Sequence, residues 1–270
     1  MRRLATALAA ALTLAAAAAA GPAELVVAWG NGLRDQIDCS DGPDVVNADA
    51  GDLVGERCET VLRRIAVDTS TTPGAQQGTI AEPHVVADGT TVVAAYQMSR
   101  FESGGAAAIG VAVSRDGGRR WRTRALPTGA GSTDRVSDPV VAWDAKHRVW
   151  LVATLSGRPG LASAIRVSRS SDLLRWEAVT VARSPVFRFD KEWIACDNGP
   201  GSPYRGRCHI AYTDTIARTI VARTSDDGGA TWRSPVVVGP PADGQVGAVP
   251  VTTPDGRLVI SWLRGLRTQV

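Results

Sequence analysis

Ser114-Arg115-Asp116-Gly117-Gly118-Arg119-Arg120-Trp121 and Ser225-Asp226-Asp227-Gly228-Gly229-Ala230-Thr231-Trp232 share one pattern, S-x-D-x-G-x-x-W. A worn copy, Ser170-Ser171-Asp172-Leu173-Leu174-Arg175-Trp176, stands between them, one residue shorter and without its glycines. The aspartates fall at 116, 172 and 227, in steps of 56 and 55 residues. A fixed period of this size marks a repeat architecture and has to be read before any single motif.

A second pattern runs in phase with the first. Glu82-Pro83-His84-Val85-Val86 leads into the run Val92–Tyr96, and Asp138-Pro139-Val140-Val141 leads into Val149–Thr154. Glu192-Trp193-Ile194-Ala195 leads into His209–Tyr212, and Val249-Pro250-Val251 into Leu258–Trp262. The anchors 83, 139, 193 and 250 are 56, 54 and 57 residues apart, which makes Glu82, Asp138 and Glu192 equivalent. Within a unit, short β-branched runs are divided by Asp-Gly and Gly-Gly turns, which supply the positive φ of a tight hairpin. In the first unit the runs are Pro83–Ala87, Thr91–Gln97, Ala107–Ser114 and Arg120–Leu126. Four short antiparallel strands with one Trp motif, repeated about every fifty residues, predict β-propeller blades.

In the repeated motif, Ser and Asp side chains are placed to bond backbone N–H groups across a turn. Gly118 or Gly229 takes the left-handed position, and Trp121 or Trp232 opens the next strand with its ring buried. The motif is thus a fastener and not a catalytic centre. Its structural residues are Ser114, Asp116, Gly118 and Trp121, then Asp172 and Trp176, then Ser225, Asp227, Gly229 and Trp232. Asp172, without its glycines, is expected in a looser turn.

These motifs resemble the Asp boxes (bacterial neuraminidase repeats) of the sialidase superfamily, and the in-phase strands over about residues 79–270 are similar to those of its secreted bacterial members. The resemblance implies boxes between the third and fourth strands, on the rim away from the active site. It also implies, where the family's site is complete, retaining glycoside hydrolysis with a tyrosine nucleophile. Family members bind the sugar carboxylate with three arginines, the first in an R-I-P sequence. Here that slot aligns with Ala81-Glu82-Pro83, so alanine replaces the arginine. Arg100 sits where the family often places a further arginine. The acid/base loop Glu102–Ala106 lacks aspartate and offers only Glu102. The blades that carry the nucleophile in the family have no counterpart before residue 270, so orthodox sialidase activity is not expected of this sequence.

The 270 residues are 44% apolar and 21% charged, an ordinary composition that excludes collagen, coiled-coil and polytopic membrane classes. Met1-Arg2-Arg3 followed by an Ala/Leu run to Ala20 predicts a secretory signal peptide, cut near Ala20. Its removal lowers the formal charge from +3 to +1. Of the 30 basic residues only Lys146 and Lys191 are lysines, and the arginines are scattered along the chain, so no nucleic-acid partner is expected. Four cysteines in an exported chain suggest two disulfides, and the local pairings Cys39–Cys58 and Cys196–Cys208 are favoured among three possibilities. No metal or cofactor motif appears. The acidic loop Asp41, Asp44, Asp49, Asp52 offers Ca²⁺ ligands but not EF-hand spacing, and is read as a solvated loop.

The expectation is an all-β, sialidase-like β-propeller, incomplete at about three and a half blades. Residues 1–20 are the signal and 21–78 an irregular lead-in whose run Val61–Val67 offers an edge strand. Blades cover 79–132, 133–187 and 188–244, with a truncated two-stranded blade over 245–270. An open edge of this kind predicts association or poor solubility, as in a gene fragment. Innermost strands line a propeller's channel, which places Glu82, Asp138 and Glu192 around one mouth, with Asp190, Lys191, Asp214 and Arg100 nearby. Their alternative role is to cap the backbone of neighbouring blades. Two classes of function stay open. One is a secreted (extracellular or periplasmic) propeller that binds glycans or a protein through its loop face, without a membrane span after signal cleavage. The other is a glycoside hydrolase whose nucleophile lies in further blades, with Arg100, Glu102, Asp138 or Asp190 as catalytic candidates.

Overall fold

The computed structural model describes residues 25–28, 33–49, 51–64, 68–130, 134–158, 163–265 and 267–269. The signal-peptide reading falls outside them. Among the described residues there are strands and turns but no helix, hence none long and apolar enough to cross a membrane. The chain forms two compact units, Met1–Arg63 and Arg64–Val270.

The first unit is not the irregular lead-in expected. It carries β1 (Leu25–Val27), β2 (Gln36–Ile37), β3 (Val45–Asp49), β4 (Leu53–Val54) and β5 (Thr60–Arg64). β3 lies between β1 and β5, while β2 pairs in parallel with β4. The Cys39–Cys58 disulfide belongs to its core, with Ile37, Val46, Ala48 and Val54. The acidic loop is not solvated either, since Asp44 and Asp52 are buried. Asp52 accepts from the backbone N–H groups of Asp35 (2.9 Å) and Asp49 (2.7 Å), and Glu59 accepts from that of Asp44 (2.9 Å). These carboxylates satisfy buried backbone donors. Among the described residues no group of three or more His, Cys, Asp or Glu side chains could hold a metal ion.

The second unit is a row of antiparallel blades. The first contains β6 (Gln76–Asp88), β7 (Thr91–Arg100), β8 (Ala106–Ser114) and β9 (Arg122–Ala125). The second contains β10 (Arg135–Asp144), β11 (Val149–Gly157), β12 (Ser163–Ser170) and β13 (Glu177–Ser184). In the third are β14 (Phe189–Cys196), β15 (Cys208–Asp214), β16 (Thr219–Ser225) and β17 (Val236–Val237). The last blade has β18 (Gln245–Thr252), β19 (Leu258–Arg264) and a short β20 (Arg267–Gln269), one strand more than expected. The innermost strands β6, β10, β14 and β18 are neighbours in that order.

Both faces of a blade are packed, which explains why β11 and β15 read as near-continuous apolar runs and not as alternating ones. Val93, Ile109 and Val111 of the first blade meet Val141, Trp150 and Val152 of the second. Leu151, Ile165 and Val167 meet Ile194, Ile210 and Tyr212 of the third, and Ile220 meets Ala248 and Ile260 of the last. Each layer removes apolar surface that a single blade cannot cover alone.

The Ser/Asp/Trp turns lie at the opposite end of the blades from the starts of the innermost strands, between third and fourth strands. Ser114 Oγ donates to Asp116 (2.9 Å) and accepts from Gly118 N (2.8 Å), Asp116 accepts from Arg120 N (2.8 Å), and Trp121 Nε1 donates to Gly118 O (2.7 Å). Ser225, Asp227, Gly229 and Trp232 repeat these bonds. The worn copy is not looser. Asp172 still accepts from Leu174 N and Arg175 N, because buried Leu173 takes the left-handed position at φ 60°. The loss falls on Trp176, whose indole nitrogen has no hydrogen-bond partner among the described residues. Arginines link these turns across blades: Arg115 donates to Asp172 O and Arg169 to Gly228 O. The Cys196–Cys208 disulfide closes the insert at the same end, and Asn198 within the insert bonds Ala145 N and Trp143 O of the second blade.

Candidate functional site

Each innermost strand breaks its ladder at an equivalent two-residue bulge, and β6 breaks a second time between Gln76 and Ile80. The bulges are Glu82-Pro83, Asp138-Pro139, Lys191-Glu192 and Gly247-Ala248. Proline has no N–H to give a ladder, so a bulge is one of the few strand positions that tolerates it. The first residue of every bulge is left-handed, with φ of 48° at Glu82, 51° at Asp138, 49° at Lys191 and 72° at Gly247. That conformation favours glycine, yet only the last blade has one. The repeat equivalence drawn from the sequence is therefore one residue off in the third blade. Lys191 is the counterpart of Glu82 and Asp138, while Glu192 fills the slot of Pro83 and Pro139.

The four bulges surround one cavity of about 250 Å³, lined among others by Glu82, His84, Asp138, Lys191, Glu192 and Trp193. Lys191 Nζ lies 3.0 Å from Asp138 Oδ2. Glu82 accepts from Gln97 Nε2 at 2.6 Å. Glu192 is only 1% exposed, and neither of its carboxylate oxygens has a hydrogen-bond partner among the described residues. Burial, reinforced by the Asp138 charge, pushes the Glu192 carboxyl well above the ordinary range. Burial and Asp138 raise Glu82 and Asp190 as well. For Lys191, burial acts downward, but the hydrogen bond and charge of Asp138, with Glu82 and Asp190, outweigh it and raise the ammonium. Gln97 Oε1, on the side chain that bonds Glu82, has no hydrogen-bond partner among the described residues either.

The expected site residues divide clearly. Glu82, Asp138, Lys191 and Glu192 share the cavity, and the Arg100 charge acts on Glu82. Asp190 lines a neighbouring cleft with Phe187 and Phe189, close enough to feel Asp138. Two candidates do not join. Glu102 is exposed on the β7–β8 turn and lines neither cavity. Asp214 is spent on Arg188 (2.6 Å) and on Ile216 N and Ala217 N, as a turn residue. Sequence reasoning missed His84, Trp193 and Gln97. The His84 ring meets Trp193 edge-on at 5.0 Å, and its Nδ1 accepts from Val141 N of the next blade at 3.1 Å, while burial lowers its pKa. Gln97 stands directly across the ladder from Ala81, so strand pairing alone pointed to it.

Among solved structures, the fold is similar to that of a Hadza microbial sialidase, Hz136 (TM-score 0.52, 18% identity, covering 70% of this chain and 43% of that one). It is also similar to the leech intramolecular trans-sialidase complexed with 2,7-anhydro-Neu5Ac (TM-score 0.53, 12% identity, 71% and 48% covered). The fold is a sialidase-type β-propeller. The α-L-arabinofuranosidase Arb93A of Fusarium graminearum is comparable at a TM-score of 0.50 and 13% identity, with 74% of this chain and 60% of that one covered. The propeller spans less than half the length of either sialidase chain. No family model matches the sequence, and no curated protein matches it.

Proposed function

We propose that this sialidase-type propeller is an exported carbohydrate-binding protein that takes its ligand at the mouth formed by the four bulges. One observation supports the reading most: three blades place charged residues, Glu82, Asp138 and Lys191, at a left-handed position where glycine is the easier choice, and all three face one cavity. Trp193 adds an aromatic wall beside these polar groups, the usual make-up of a small-ligand site. Two disulfides fit an oxidising compartment. Titration calorimetry against neutral, amino and acidic sugars, repeated with Asp138→Ala and Glu192→Ala, tests the proposal. Binding lost in both variants supports it. Binding unchanged in both, or none to any sugar, overturns it.

A hydrolytic reading draws on one specific feature, the carboxyl of Glu192 biased toward its protonated form beside the charged Asp138, the pairing an acid/base couple needs. Turnover of a fluorogenic glycoside panel, lost in Glu192→Gln, supports hydrolysis over binding alone.

A further inference from the structure

The cavity's charge is lopsided in a way that selects its ligand. Three carboxyl groups, Glu82, Asp138 and Glu192, line the cavity against one cation, Lys191. Lys191 already sits on Asp138 at 3.0 Å, so the mouth accommodates an ammonium group. Glu192 is the carboxyl left over. It is 1% exposed, borders the cavity, and has no donor on either oxygen. With the cavity empty, burial and Asp138 keep this carboxyl on the protonated side, and a cation that brings its own N–H donors favours its ionised form. Trp193 borders the same space, and an indole face attracts a cation further.

An acidic sugar finds no such welcome. Among the described residues no arginine lines the cavity. Arg188 is engaged by Asp214, and Arg135 lies over Phe101 while donating to Ser103 Oγ and Gly104 O. Alanine stands at position 81, so the strand start offers no guanidinium either. A ligand carboxylate entering here would meet Asp138, with only Lys191, already paired to it, as a cationic partner.

We infer that the mouth is a site for sugars bearing a free, protonated amine, with Glu192 as the carboxyl that receives the ammonium and Lys191 as a built-in competitor for the same charge. The inference rests on the carbohydrate reading of this mouth and names its ligand class. The test is calorimetric titration of the full chain at neutral pH with glucosamine, N-acetylglucosamine and N-acetylneuraminic acid. Glucosamine should bind at least about tenfold more tightly than the other two, with the preference shrinking as salt is added. Glu192→Gln, which keeps the shape, should remove most of that preference. Lys191→Gln should strengthen glucosamine binding several-fold, a direction opposite to that for an anionic ligand, and this readout survives if Glu192→Gln proves difficult to fold. Equal or tighter binding of the acetylated or acidic sugar overturns the amine inference and leaves the carbohydrate reading standing. So does an unchanged glucosamine affinity in Glu192→Gln. Failure of every sugar to bind overturns both.

Discussion

Replacing Glu192 by glutamine isolates the cost of its buried carboxyl, and the cost has a definite pH signature. In the unfolded chain this group titrates at the ordinary glutamate value of 4.5, whereas in the fold burial and the neighbouring Asp138 hold it well above that. Between the two values the folded state binds one proton more than the unfolded state, so raising the pH favours unfolding. The slope follows without knowing where the upper value lies. Wild type loses about 1.4 kcal/mol per pH unit relative to Glu192→Gln, so between pH 5 and 7 the gap grows by up to about 2.7 kcal/mol. For a domain of this size that is a Tm difference widening by about 3–6 °C per pH unit. Glu82 and Asp190, also raised by burial and Asp138, titrate in both proteins and largely cancel from the difference. The assay is thermal or urea unfolding of both proteins at half-unit pH steps from 4 to 8. The pH at which the gap stops growing marks the titration of Glu192 in the fold. Parallel stability curves across this range would refute the picture of a buried, uncompensated carboxyl.

Other expectations concern the bulge, the turns and the disulfide. At Glu82, with φ 48°, glycine should be more stable than alanine by about 1 kcal/mol, the reverse of an ordinary strand position, as chemical denaturation of the two variants would show. Asp227 is pushed down to about 2, since hydrogen bonds from Thr231, Ser225 and the turn backbone outweigh the upward push of burial. Asp227→Ala should therefore cost about 1–2 kcal/mol at neutral pH, solvent exposure of the group keeping it modest. That contribution is fully present above the ordinary aspartate value of 3.8 and is lost as pH falls through about 2, so the gap from wild type should close on acidification from 4 to 2. Paired Cys196→Ser and Cys208→Ser substitutions open a 12-residue loop and should cost about 3 kcal/mol in denaturant unfolding.

The blades were legible because their signals are local. A Ser/Asp turn with left-handed glycines and a following Trp forms the same bonds wherever it occurs, so its 55–56-residue spacing transmits the period directly. Leu173 shows the limit of that reading: losing both glycines did not loosen the turn, since inter-blade burial holds a leucine at φ 60°. The register of the third blade was harder to see. A bulge puts two residues opposite one, and matching Trp193 to Pro83 and Pro139 slid Glu192 into the wrong slot. The one glycine that advertises the bulge, Gly247, sits in the last blade, where the matching had followed Pro250. Asp214 and Glu102 were drawn into the site by proximity in sequence, which says nothing about whether a carboxylate is spent on a turn or exposed on one. The first unit eluded reading for another reason. Strands of two to five residues paired in parallel carry no hydrophobic period long enough to count.

The two ends of the blades divide the labour between glycine and side chain. At the Ser/Asp turns, Gly117, Gly118, Gly228 and Gly229 take the left-handed conformations at no steric cost, and the side chains around them bond the backbone. Arg148 and Arg218 are also left-handed, but each is exposed at the end of a hairpin turn, where closing the loop demands that conformation. The bulges differ because they interrupt strands that continue beyond them. Gly247 shows that this backbone accepts glycine at the same place, so nothing about the chain path requires Glu82, Asp138 or Lys191. Each non-glycine residue there adds about 1–2 kcal/mol of strain. Glu82 recovers part of the cost in the hydrogen bond it accepts from Gln97, and Asp138 and Lys191 recover part of theirs in one ion pair. Strain that these bonds return only in part, repeated at equivalent positions around a single cavity, is better explained by what enters the cavity than by what holds the blades together.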